Sequence, residues 1–108
     1  ILHEALAAHM VDRLSKELSA LGATRLAKLT ADIQDYHTTP VQAAKLAAEA
    51  QARMLVLTHM VPAPANRMLK RLFSQGIDDA WSGAVVLGAD GMHFRLPARS
   101  EEIEQTTI

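Results

Sequence analysis

The chain has 108 residues, 49% of them apolar and 21% charged, with a formal net charge of −1, so it is one domain or part of one with enough apolar material for a core. That balance supplies no basic field for nucleic acid. The lack of cysteine excludes disulfides and thiolate chemistry and suits a reducing cytoplasm.

The start, Ile1-Leu2, has neither a methionine nor a polar lead-in, which reads as a piece of a longer protein that enters a helix at once. No basic n-region marks a signal peptide. Leu6, Met10, Leu14, Leu18 and Leu21 recur at spacings of four and three, the stripe of an amphipathic helix that Gly22 would stop. Leu26, Leu29, Ile33 and Tyr36 form a second stripe with Thr24 as its expected N-cap, so the two segments read as an antiparallel helical pair.

A third helix is marked more sharply. Thr39 can cap it, Pro40 suits its first position, and Gln42 completes a capping box. The alanine-rich segment from Val41 to Ala52 offers a narrow face for packing on a sheet. Met54 to Thr58 is a continuous apolar run of strand length, the pattern of a strand buried on both faces. His59 follows it, where layered α/β folds open their clefts.

Pro62 and Pro64 lead into a further helix with Met68, Leu69, Leu72 and Phe73 as its expected buried face and Gly76 at its end. Val85-Val86-Leu87 and Met92-Phe94-Leu96 flank Asp90-Gly91 and predict a β-hairpin. The acidic tail over 100–108 is expected to fray. No apolar run reaches the roughly 18–20 residues that cross a bilayer, so no membrane partner is expected. By content the chain reads as mixed, α+β within the α/β class.

Five histidines are present, at 3, 9, 37, 59 and 93, and none forms an HxH or HExxH pair. His59 can present its imidazole to a cleft as a metal ligand, or simply bond a neighbouring carbonyl. His37, ahead of a helix N-terminus, can hold an anion or act as an acid; equally, it can terminate the preceding helix. Glu4 can orient a histidine or complement a helix dipole. Arg67, Lys70 and Arg71 read as a solvated helix face, with phosphate contact as the alternative.

His3-Glu4-Ala5-Leu6, then His37-Thr38-Thr39, then Leu55-Val56-Leu57-Thr58-His59 occur in an order that resembles metallo-β-lactamase-fold hydrolases of the ribonuclease Z-like and arylsulfatase-like branch. In that branch a His-Glu-Ala-Thr, a His-Ser-Thr and a Leu-Thr-His segment follow one another toward the C-terminus. Leu6 stands where the first segment has threonine, and Met60-Val61-Pro62-Ala63-Pro64 is similar to the arylsulfatase-type relatives rather than to ribonuclease Z.

The resemblance implies that residues 1–108 are the C-terminal part of one αββα sandwich whose N-terminal half, with its HxHxDH motif, lies outside this sequence. It also implies two divalent metal ions, of the zinc type, with His59 as one ligand and a Glu4–His37 pair supporting proton donation to the leaving oxygen. A single ligand cannot hold a hydrolytic zinc, which takes three protein ligands plus water, so the chain alone is expected to be inactive.

The function implied for the whole is hydrolysis of a small phosphate, sulfate or related ester. The alternatives are a ribonuclease Z-type endonuclease acting on transfer RNA and a non-catalytic α/β interaction domain. The partners expected are the missing half of the domain and, because apolar surface would stay uncovered, further copies of the chain.

Overall fold

The computed structural model describes residues 1–108, a mixed α/β fold. Its elements in chain order are β1 (Leu2–Leu6), α1 (Ala8–Ala20), α2 (Thr24–Asp32), a 3-10 turn (Ile33–Tyr36), α3 (Pro40–Glu49) and β2 (Met54–Val61). Then follow α4 (Arg67–Phe73), α5 (Ile77–Ala80), β3 (Ala84–Leu87), β4 (Met92–Arg95) and β5 (Glu104–Thr107).

Strands β1, β2 and β3 form a parallel sheet in that order, and β4 pairs antiparallel with β5 in a separate ribbon. The start of the chain is therefore a strand, not a helix. Ala5 and Leu6 are buried beside β2, and the helix waits until Ala8. Leu6, which the spacing places in the helical stripe, ends β1.

The capping box forms as the sequence predicts: the Gln42 amide donates to the Thr39 hydroxyl, and the Thr39 amide donates to the Gln42 side chain. The alanine face of α3 then lies flat on the sheet. Ala43, Ala44 and Ala47 are buried against a core that includes Leu55, Leu57, Phe73 and Ile77. Burying a side chain such as Leu55 or Phe73 contributes about 1.5–3 kcal/mol, so these few contacts fix where β2 sits.

Other expectations are corrected. Thr24 does not cap α2; it is the helix's first residue and Ala23 precedes it without a side-chain cap. The second stripe tightens into the 3-10 turn over its last four residues, Ile33–Tyr36. On α4 only Phe73 is buried, while Met68 and Leu72 are exposed.

The hairpin around Asp90-Gly91 is not made. Val85 and Val86 pair with Leu55 and Val56, whereas Met92 to Arg95 pair with the last strand. The segment over 100–108 is accordingly not a free tail, since β5 is bonded along β4 and Arg95 grips Glu104 through two contacts of 2.7 and 3.0 Å.

Helices cover one face of the parallel sheet only. The other face carries an apolar groove of about 550 Å3 lined by Leu2, Met54, Val56, Phe94, Leu96 and Ile103, among others. The radius of gyration is 15.7 Å, against the ~13 Å of a compact chain this long, because α1 and α2 project as a hairpin. No helix is long and apolar enough to cross a membrane.

Candidate functional site

Three sequence segments converge at the C-terminal ends of the parallel strands. Glu4, near the end of β1, is the register partner of Thr58 on β2. The chain then leaves through the helical hairpin and returns at His37, where it is latched to the outer side of β1. The Leu6 amide donates to the Thr38 carbonyl at 2.8 Å, and the Thr38 amide donates to Glu4 Oε1 at 2.8 Å.

The second carboxylate oxygen meets His37. Glu4 Oε2 lies 3.1 Å from His37 Nδ1, and the two side chains are 33% and 25% exposed. The Tyr36 ring leans on the imidazole with centroids 5.4 Å apart. Partial burial pushes the Glu4 carboxyl upward, but the Thr38 amide, the His37 imidazole and the Thr38 hydroxyl outweigh it and hold it below its ordinary value near 4.5. An ionised Glu4 accepts the Nδ1 proton and leaves His37 Nε2 as the reactive nitrogen.

His59 owes its position to a defect in β2. Alternation along the strand puts Leu55 and Leu57 into the helix-covered core, and a regular strand would send residue 59 the same way. It does not. Between Glu4–Thr58 and Leu6–Val61 the register advances two residues on β1 and three on β2, and His59 takes a left-handed backbone with φ of +44°. The bulge turns its side chain out, so that Thr58 and His59 are both exposed. Bulges of this kind re-aim side chains beside functional sites.

The imidazole opens onto a second groove of about 380 Å3, which it shares with Thr58, Met60, Ala63, Gly88 and Asp90 among others. Gly88 is required there, because a Cβ would stand 2.8 Å from the Leu57 carbonyl, which accepts the Gly88 amide at 2.8 Å. Asp90 was read from sequence as a turn residue. With β3 placed as the third parallel strand, it becomes a strand-end carboxylate facing the same groove as His59, and the continuous apolar run before it was the available signal.

The structure thus joins Glu4 to His37 directly and sets His59 on the neighbouring strand. Neither Glu4 nor His37 lines the groove into which His59 opens. The other histidines lie elsewhere. His3 Nδ1 is 2.8 Å from the Glu4 carbonyl, His9 Nε2 is 2.7 Å from the Leu72 carbonyl, and His93 sits exposed on β4. Arg67, Lys70 and Arg71 are exposed on α4. Nowhere do three His, Asp or Glu side chains gather closely enough to hold an ion. No protein-family model and no curated protein matches the chain.

Proposed function

We propose that this chain is the C-terminal part of a cytoplasmic metal-dependent hydrolase of phosphate, sulfate or related esters. In this reading His59 is one ligand of a two-ion, zinc-type centre, and the Glu4–His37 pair handles the proton of the leaving group. The observation that carries it is the bulge at His59: a non-glycine residue in the left-handed region costs on the order of 1–3 kcal/mol, and here that cost presents an imidazole at the C-terminal end of a parallel strand.

The donor set in the chain is incomplete for a metal, so His59 fits only as a contributor beside ligands from the rest of the domain. Bound ions would activate water and stabilise charge developing on the ester. The chain's own residues do the remaining work. The Glu4 carboxylate fixes the His37 tautomer and ring orientation, and protonated Nε2 can then donate to a departing oxygen. The rest of the domain would pack on the apolar sheet face, because parallel sheets are normally covered on both sides.

The test is metal analysis and ester turnover of the complete protein. About two ions per chain are expected, and His59→Ala should lose at least one of them. His37→Ala should lower kcat by about 100-fold or more with metal content unchanged. Retention of both ions by His59→Ala, or unchanged turnover with His37→Ala, refutes the respective assignment. A ribonuclease Z-type activity on transfer RNA is the alternative within the same chemistry; the formal charge of −1 gives it no net basic field from this part of the molecule. The apolar sheet face favours a third reading, a non-catalytic interaction domain, which a complete protein without bound metal and without esterase activity would establish.

A further inference from the structure

The hairpin of α1 and α2 is held together by small residues. Ala27 is buried where the Ser15 hydroxyl donates to its carbonyl at 2.6 Å, and Val11 is buried one turn before Ser15 on the same side of α1. The large apolar residues are left outside. At 100° per residue, Leu14 and Leu21 fall on one flank of the α1 contact face beside the half-buried Leu18, and Leu26 and Leu29 fall on the matching flank of α2. For an antiparallel pair these flanks look the same way, which makes one continuous apolar surface. Leu14 is 46% exposed, Leu21 81%, Leu26 54% and Leu29 55%, so the chain itself leaves this surface open.

We infer that this leucine face is a self-association surface on which a second copy of the same hairpin packs, forming a four-helix bundle about a two-fold axis parallel to the helices. Charge at the rims supports that occupant. The Ser15–Ala27 contact sets residue 15 of α1 level with residue 27 of α2, and therefore Glu17 level with Arg25. Both side chains are exposed and border the leucine face, Glu17 on the far side of α1 and Arg25 on the far side of α2.

A two-fold rotation lays each α1 over the partner's α2 without an axial shift, so each Glu17 meets an Arg25 at the same height, twice per dimer. Every helix then runs antiparallel to its neighbours, the arrangement of up-and-down bundles. The four exposed leucines present on the order of 400 Å2, the scale at which an apolar patch marks an interaction site. Doubled and joined by the rims, the surface reaches the ~1,200 Å2 of a specific interface. None of this depends on His59 or on metal.

The experiment is sedimentation equilibrium on the complete protein and its variants, with circular dichroism to confirm folding. A dimer is expected. Leu21→Glu, at a position already open to solvent, should raise its dissociation constant at least tenfold. Glu17→Arg should raise it severalfold, and adding Arg25→Glu should restore it to within about threefold, a recovery that a merely destabilised fold would not show. A monomer at all concentrations overturns the inference. So does a dimer indifferent to Leu21→Glu, which would place the contact on the sheet face or leave this surface to another part of the protein, and so does failure of the double reversal to recover.

Discussion

His59 is the residue on which most depends, and its backbone makes a prediction that needs no metal. A left-handed φ is comfortable for glycine and poor for a β-branched side chain. His59→Gly should therefore leave stability within about 1 kcal/mol of the parent, whereas His59→Val should cost at least ~2 kcal/mol, read from urea denaturation. Equal effects would mean that the bulge relaxes without strain. Glu4 makes a second prediction. Its folded pKa lies below the ordinary value, so its contribution to stability is present above about 4.5 and is lost as the pH falls through the folded value. Glu4→Gln should lower the Tm at pH 7, and the gap to the parent should close as the pH falls below the folded value. A gap that persists in acid would show that the carboxylate charge is not what stabilises the latch.

Both residues could be found in the sequence, but not their circumstances. Residue type and order point to Glu4, His37 and His59, because few side chains can do such chemistry. The contact between Glu4 and His37 spans a helical hairpin, so residue spacing alone holds no record of it, and it is expected only through the family resemblance. Nor does an apolar run reveal a bulge, since its letters read the same whether residue 59 continues the alternation or breaks it.

At the scale of elements, local signals succeeded where the local interaction is itself the cause. The capping box at Thr39 is one such case, and Thr39→Ala should cost about 1 kcal/mol in thermal unfolding, with no change in fold by circular dichroism. A cost under a few tenths would assign the helix start to Pro40 and packing alone. The signals failed where partners decide. Leu2–Leu6 reads as helix by spacing, yet its two buried residues are claimed by β2. Asp90-Gly91 reads as a hairpin turn, yet the runs beside it differ in kind. Ala84–Leu87 is continuously apolar and suits a strand of the parallel sheet, whereas Met92-His93-Phe94-Arg95 alternates and suits a half-exposed ribbon. That difference in patterning was the better guide than the turn between them.

At the scale of the whole molecule, the fold is a one-sided sheet with an arm. Apolar surface lies open in two places, the groove between the sheet and the β4–β5 ribbon and the outer flank of the helical hairpin, and these accept different occupants in the readings given above. The arm also has a mechanical property. Its two ends are fastened to each other by the Leu6–Thr38 and Thr38–Glu4 bonds, with the Ala7 amide donating to the Val61 carbonyl at 2.8 Å beside them. Beyond Ala7, His9 and Met10, which still touch the body of the molecule, the hairpin is a side trip that returns to its origin. Removing residues 14–28 and closing the gap with a glycine-containing turn should therefore leave the Glu4–His37 contact intact, visible in the His37 ring signals by NMR. Each halving of such a loop changes closure entropy by only ~0.6 kcal/mol. The clasp thus separates the length of the chain from the geometry of the site, and this is the stretch of the molecule where insertions and deletions can accumulate without cost to the chemistry on either side.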